Sequence, residues 1–152
     1  MTTTERESAA NFPPTPGEVQ PVSRRLRVEF AGEVIAETTR GVRIVERDRP
    51  PVYYFPPEDI RMERLVPEDK TTTCEYKGIA SYWGVRVGDR HAQGAIWSYP
   101  NPKEGYEAIR EHMAFYPWMM DAAYVDDIPV TTPNNDWYGG WQTADIEGPW
   151  NQ

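Results

Sequence analysis

Alternation of apolar and polar residues dominates the first third of the chain and predicts β-strands. Apolar residues alternate with charged ones over residues 26–30, and beyond Ala31-Gly32 a second apolar stretch is bounded by Glu33 and Glu37. Because successive strand side chains point to opposite faces, this pattern predicts a hairpin with one buried face. Val42 and Ile44, and the apolar run at residues 52–55, predict two further strands. We therefore expect a mainly β fold built from compact antiparallel sheets.

One later segment has the pattern of a helix. Asn101 is suited to cap its start, and Tyr106, Ile109 and Met113 then recur at helical spacing. We expect one main α-helix near residues 102–115.

A second hairpin is predicted by residues 79–87 and 92–99, with Gly88-Asp89 as its turn. Strand alternation divides residues 79–87 between two faces. The face expected in the core carries Ile79, Ser81, Trp83, Val85 and Val87. The opposite face carries Ala80, Tyr82, Gly84 and Arg86, and the returning strand presents Trp97 and Tyr99 on one face. Polar groups that converge among aromatic rings are typical of a ligand pocket.

Composition divides the chain into three parts. Residues 1–22 are rich in proline and polar residues, so we expect a flexible N-terminal tail. Residues 23–130 should form a single β-rich domain. Residues 131–152 contain three tryptophans that would expose a large apolar area if this extension were loose. We expect the extension to pack on the domain.

Charge and cysteine content exclude several classes of protein. The net charge of −8 repels phosphate backbones, so we expect no nucleic-acid partner. No apolar stretch is typical of a signal peptide or a membrane span, and we expect a cytoplasmic protein without membrane contact. One cysteine and two separated histidines do not supply a zinc site, so we expect no metal and no cofactor. The oligomeric state stays open, with a homodimer as one alternative.

Cys74 and Lys77 are the candidate catalytic residues. A free cysteine is most often a small buried residue, and a lysine beside a turn is most often exposed. However, a nearby ammonium group favours the reactive thiolate, and a desolvated lysine is a candidate base or imine former. Both interpretations stay open for each residue. Asp59, which follows a double proline, either orients a group in the pocket or caps a turn.

Five ordered motifs carry a resemblance to a known family: RVEFAGEVIAETT, PPVYYFPPEDIRMERL, TTTCEYKGIASYWGVRV, AIWSYPNP and AFYPWMMDAAY. Over about residues 25–128 the chain closely resembles the family catalogued as domain of unknown function 427. Members usually show C-P-Y-K-G where this chain has Glu75 between Cys74 and Tyr76.

The resemblance implies a β-tent type of fold, similar to the folds of methionine sulfoxide reductase B and the ligand-binding domain of cereblon. Many β-tent proteins hold zinc with two C-x-x-C pairs, which this chain lacks. The family is sometimes labelled nucleotidyltransferase-like. That activity would need a phosphate-binding glycine loop and paired metal-binding carboxylates, and the sequence indicates neither.

The sequence thus predicts an aromatic-lined pocket that binds, and in one interpretation transforms, a small polar molecule. Lys77 would supply charge, phenols would supply hydrogen bonds, and tryptophan would supply a stacking surface. The alternative is a non-catalytic protein-interaction module whose aromatic residues contact a partner. The predicted ligand-binding residues are Tyr54, Asp59, Tyr82, Arg86, Trp97 and Tyr99.

Overall fold

A computed structural model describes residues 6–150 and shows a mainly β domain. Its strands are β1 (Glu7–Ser8), β2 (Glu18–Val22), β3 (Leu26–Phe30), β4 (Glu33–Thr38), β5 (Gly41–Val45), β6 (Val52–Tyr54), β7 (Leu65–Cys74), β8 (Gly78–Val87), β9 (Arg90–Ser98), β10 (Met113–Phe115), β11 (Ala122–Val125), β12 (Ile128–Pro129) and β13 (Ile146–Glu147). Within this range, helical structure is limited to three-residue 3₁₀ turns at Ala9–Asn11, Pro57–Asp59, Met62–Arg64, Glu107–Ile109 and Pro117–Met119. No helix in residues 6–150 is long and apolar enough to cross a bilayer.

Antiparallel sheets form most of the domain. One four-stranded sheet has the order β12-β11-β3-β4, and a second has the order β10-β9-β8-β7. A three-stranded sheet follows the order β2-β5-β6, and the short strands β1 and β13 pair in parallel.

Both predicted hairpins are present. In the first, Phe30 pairs with Glu33, and the two turn residues Ala31 and Gly32 have φ of 51° and 81°. Positive φ at both central positions is the geometry of a tight hairpin turn, which matches the twist of the flanking strands. In the second, Val87 pairs with Arg90 across Gly88-Asp89.

Strand β8 separates two hydrophobic cores. Trp83, Val85 and Val87 pack in the larger core, which also contains residues of β3 and β11. Ala80 and Tyr82 face a smaller, aromatic-rich core on the other side. The alternation predicted from the sequence is therefore correct for these five residues.

Ile79 departs from that alternation. It was expected in the core, but its side chain is 58% exposed. It pairs with Thr73 at the outer end of the β7–β8 hairpin, where the neighbouring threonines are exposed as well. Ala80, on the opposite face, is still buried in the smaller core, so at this end of the hairpin only the face of Ile79 is left uncovered.

The predicted α-helix near residues 102–115 is wrong. Gly105 and Glu111 adopt φ of 96° and 60°, outside the right-handed helical region, and only Glu107–Ile109 makes a 3₁₀ turn. The apolar residues expected on one helical face, Tyr106, Ile109 and Met113, are all buried, as they would have been on a helix.

Tertiary pairing explains why this segment is not helical. Met113 belongs to β10 and pairs with Ser98 of β9. Its backbone also exchanges two hydrogen bonds with Phe55, at 2.8 and 2.9 Å. A glycine within the segment disfavours the helix by about 1 kcal/mol, whereas the strand pairing satisfies backbone groups in the interior.

The N-terminal residues also differ from the expected flexible tail. Strand β2 pairs along its whole length with β5, and Phe12 is buried in a small cluster with Val45 and Ile146. Pro13 O accepts a hydrogen bond of 2.8 Å from Arg47 N. Because β2 lies at a sheet edge, it tolerates Pro21, a residue that the sequence interpretation took as a sign of disorder. Residues 1–5 of the expected tail lie outside the described residues.

Among the tryptophans of the C-terminal extension, Trp141 is the one buried in the larger core. Trp141 is fully buried in the larger core, and its indole Nε1 donates a hydrogen bond of 3.1 Å to Phe115 O. Trp150 is half-buried, while Trp137 is 66% exposed. The three rings expected to act alike therefore have three different environments.

Candidate functional site

A cavity of about 390 Å³ opens beside the smaller core, within the size range of small-molecule sites. Its walls come from β5, β6, β7, β8 and β9 and from six of the segments that connect the strands. The lining residues are Thr15, Ile44, Glu46, Arg49, Val52, Tyr54, Thr73, Cys74, Tyr76, Lys77, Tyr82, Trp97, Tyr99, Tyr116, Trp137 and Tyr138.

Six of the eight predicted site residues lie in this one cavity. They are Tyr54, Cys74, Lys77, Tyr82, Trp97 and Tyr99. Tyr82 and Trp97 are direct partners across the β8–β9 ladder, so their side chains emerge on the same face of the sheet. Tyr54 ends β6, and Cys74 ends β7.

The other two predicted residues lie elsewhere. Arg86 shares the Tyr82 face of β8 but lies four positions further along the strand, about 13 Å away. It is exposed beside His91. Asp59 accepts hydrogen bonds from Thr38 Oγ1 at 2.6 Å and Arg40 Nε at 2.9 Å. The Arg40 guanidinium, with help from the Thr38 hydroxyl, lowers the pKa of the Asp59 carboxyl. Asp59 therefore tethers the β4–β5 connection.

The sequence interpretation missed several lining residues. Tyr116 lies in a motif that was quoted for the family resemblance, but its segment was assigned to the end of a helix. Glu46 and Arg49 follow β5 in a stretch that was treated as a break between strands. Trp137 was expected only to pack on the domain, and no role was assigned to Tyr138. A pair of adjacent aromatics before Gly139-Gly140 was the available signal for these two.

Aromatic contacts fix the inner wall of the cavity. The Trp97 ring packs against Tyr116, with 4.6 Å between centroids, and makes an edge contact of 6.5 Å with Tyr54. Trp97 is only 6% exposed. A rigid aromatic wall of this kind offers contact area to a ligand at little cost in side-chain entropy.

Burial favours the neutral form of four phenols of the cavity. Burial raises the pKa of Tyr54 well above its ordinary value, and the neighbouring Tyr99 adds to this effect. Burial also raises the pKa of Tyr99, with a further contribution from Cys74. Burial likewise raises the pKa of Tyr138, and raises that of Tyr116 to about 12. Because a neutral phenol both donates and accepts a hydrogen bond, these groups suit a polar, uncharged part of a ligand.

Charged groups complete the lining. Arg49 lies over the rings of Tyr138 and Trp137, at 4.8 and 5.3 Å from their centroids. Lys77 Nζ lies 5.4 Å from the Tyr106 ring centroid. Glu46 accepts a hydrogen bond of 2.9 Å from Thr15 Oγ1. Two cations and one carboxylate give the lining a net positive charge, although the whole chain has a charge of −8.

The turn that carries Cys74 and Lys77 is tightly built. Cys74 pairs with Gly78 at the end of the β7–β8 ladder, and both Cys74 and Lys77 are half-buried. Gly78 has a φ of 111°, which favours glycine. Lys103 braces the turn by donating from its backbone N to Lys77 O at 2.9 Å. The structure thus places the thiol and the ammonium group of one short turn beside the same cavity.

The fold and the site together define a small, mainly β domain with one phenol-lined cavity. The chain belongs to the family described as domain of unknown function DUF427, whose sequence profile matches residues 18–126. No curated protein matches the chain. The matched segment excludes Thr15, Trp137 and Tyr138, so part of the cavity wall comes from outside it. Among residues 6–150, no three His, Cys, Asp or Glu side chains are grouped so as to hold a metal ion.

Proposed function

We propose that the protein binds a small polar molecule in the aromatic-lined cavity and that Cys74 and Lys77 are the groups that would act on it if it is a substrate. One observation carries this proposal: six phenols from separate segments of the chain converge with Trp97, a thiol and two cations on one concave surface. Convergent polar groups in an aromatic pocket are the usual signature of a ligand site.

Each part of the cavity has a distinct role in this proposal. Tyr82 and Tyr99 exchange hydrogen bonds with polar atoms of the ligand, and Trp97 supports its ring or alkyl portion. Lys77 supplies positive charge at the rim. For a substrate, Cys74 is the candidate nucleophile beside the Lys77 ammonium group. In the alternative arrangement, Lys77 itself acts, as the base or imine former.

A thermal-shift screen of a metabolite library tests the binding proposal, since a ligand that binds only the native state raises its melting temperature. We expect a true ligand to lose its shift with Lys77→Met or Tyr99→Phe, which alter the cavity. The matched control, Arg86→Gln, changes an exposed side chain of β8 that does not line the cavity. A hit that all three variants retain would place the binding site elsewhere and contradict the proposal.

A protein-interaction module is the second candidate function. Tyr76, Ile79 and Trp137 are 42%, 58% and 66% exposed, and two of the three border the cavity. In that case the exposed rings would contact a partner protein. Substituting Ile79 by Ser would then weaken the partner contact, whereas small-molecule binding in the cavity would be unaffected.

Two finer expectations from the family resemblance remain proposals. The antiparallel sheets support the β-tent relationship, and superposing them on the sheets of β-tent domains would test it. Nucleotidyltransferase activity has less support, because Glu46 is the single carboxylate among the residues that line the cavity. Incubating the protein with labelled nucleoside triphosphates and Mg²⁺ would test that activity directly.

A further inference from the structure

The loop at residues 131–142, here called the C-terminal loop, follows the family-matched segment and forms an outer wall of the cavity. Its ends are held together: Thr131 N donates to Gln142 O at 2.8 Å, and Thr132 Oγ1 donates to Gly140 O at 2.8 Å. A compact loop whose ends meet in this way is an Ω-type loop, a class that is frequently functional.

Two glycines allow the C-terminal loop to pack closely on the domain, Gly139 against Trp97 and Gly140 against Pro50. A Cβ atom on Gly139 would lie 2.2 Å from the Trp97 ring, and Gly139 has a φ of 82°. A Cβ atom on Gly140 would lie 2.4 Å from Pro50. Side chains larger than hydrogen therefore do not fit, and the loop backbone contacts the ring that supports the ligand site.

The tip of the C-terminal loop is also fixed by side chains of the domain. Tyr116 Oη donates to Trp137 O at 3.1 Å, and Trp118 Nε1 donates to Asp136 O at 2.9 Å. Asp136 Oδ2 in turn accepts from Gly139 N at 2.8 Å. The backbone that carries Trp137 is therefore restrained from both sides.

Trp137 combines this restrained backbone with an exposed ring. Its side chain is 66% exposed and lies at the cavity, edge-on to Tyr138 with 5.7 Å between centroids. Arg49 covers both rings, which orients the pair and adds positive charge at the same rim. An indole held in place and still accessible is suited to stack on a planar ligand.

We infer that the C-terminal loop selects the ligand: Trp137 provides a stacking face for a planar ring, and Arg49 and Lys77 favour a ring that carries a carboxylate or a similar anionic group. The inference rests on the proposed function, because it assigns the ligand class of the same cavity. The buried phenols accept the uncharged polar part of the ligand, and the two rim cations accept its charge.

Three related probes test this inference by isothermal titration calorimetry: 2-naphthoate, its neutral amide 2-naphthamide, and the saturated decahydro-2-naphthoate. We expect 2-naphthoate to bind most tightly, since only this probe is both planar and anionic. Trp137→Leu should weaken its binding by about tenfold, a typical effect of losing one aromatic stacking partner, and Trp137→Phe should restore most of it.

Arg49→Gln tests the charge. We expect this substitution to lower the affinity for 2-naphthoate by up to about fivefold and to leave the affinity for 2-naphthamide unchanged. The matched control is Arg47→Gln, an exposed arginine two residues away that does not line the cavity and should affect neither probe. Trp137 is exposed, so its variants should melt like the wild type, and a melting scan verifies this.

The outcomes separate this inference from the proposed function. If the metabolite screen gives cavity ligands but 2-naphthoate does not bind, or binds no better than the other two probes, the ligand class is wrong while the binding proposal stands. If 2-naphthoate binds and Trp137→Leu has no effect, the C-terminal loop does not select the ligand. If neither the library nor the probes bind, the proposed function itself fails.

Discussion

Replacing Trp141 by alanine should destabilise the protein strongly, because this residue attaches the C-terminal extension to the larger core. The ring is fully buried, with centroids 5.2 Å from Tyr53 and 5.9 Å from Phe55. Its indole also donates a hydrogen bond to Phe115 O at 3.1 Å. Truncation would remove these contacts and leave a cavity beside the rings of Tyr53 and Phe55.

The size of the effect follows from this environment. Deleting a buried tryptophan side chain costs about 3 to 5 kcal/mol of unfolding free energy. For a domain of this length, each kcal/mol lowers the melting temperature by about 2 to 4 °C. We therefore expect Trp141→Ala to lower the melting temperature by roughly 6 to 20 °C. Trp141→Phe should have an intermediate effect, because it keeps a ring but loses the hydrogen bond to Phe115.

Thermal and urea unfolding, followed by circular dichroism, would measure these differences. Trp137→Ala is the matched control within the same extension: its ring is 66% exposed, and losing its contact with Arg49 should cost about 1 kcal/mol or less. Equal melting temperatures for Trp141→Ala and Trp137→Ala would refute the reasoning, since the two residues would then have similar environments in solution.

The remaining predictions concern other parts of the molecule. Iodoacetamide should label the half-buried Cys74 in the native protein, and Lys77→Met should slow the reaction by removing the ammonium group; labelling only after denaturation would make Cys74 a packing residue. Deleting residues 1–22 removes strand β2 and the buried Phe12, so the truncated protein should melt at a lower temperature than the full chain; equal melting temperatures would show that these residues are dispensable. The hydrogen bond from Arg24 lowers the pKa of Asp126, so this carboxylate stabilises the fold above its unfolded pKa of about 4 and loses that contribution as the pH falls. Asp126→Asn should therefore make the stability less dependent on pH between about 5 and 2, and an unchanged acid profile would contradict this.

Local patterns of the chain determined the two main hairpins. Strand alternation has a period of two residues, so it is visible within five or six positions and does not depend on distant partners. The same local rule placed Tyr82 opposite the core face of β8 and identified Trp97 on the neighbouring strand. Six residues of the cavity were found in this way or through the motif around Cys74, because they lie on strands and turns whose geometry is largely local.

Periodicity could not distinguish a helix from a turn followed by a strand at residues 102–115, because both bury the same side chains. Tyr106, Ile109 and Met113 are apolar at helical spacing, and the structure buries all three without forming a helix. The strand conformation at Met113 is stabilised by Phe55, which lies more than 50 positions away and exchanges backbone hydrogen bonds with Met113. A local pattern shows which side chains avoid water but not which backbone partner is available.

Tertiary structure alone decided how the cavity is completed and where the chain ends pack. Tyr116 and Tyr138 reach the site from segments that follow the central hairpin, and Thr15 reaches it from a segment expected to be a tail. Trp137 and Trp141 have similar sequence surroundings, yet one is exposed at the cavity and the other is buried. The cause is contact between segments far apart in the chain: Phe115 offers an acceptor to Trp141, while Tyr116 holds the backbone of Trp137 and leaves its ring accessible.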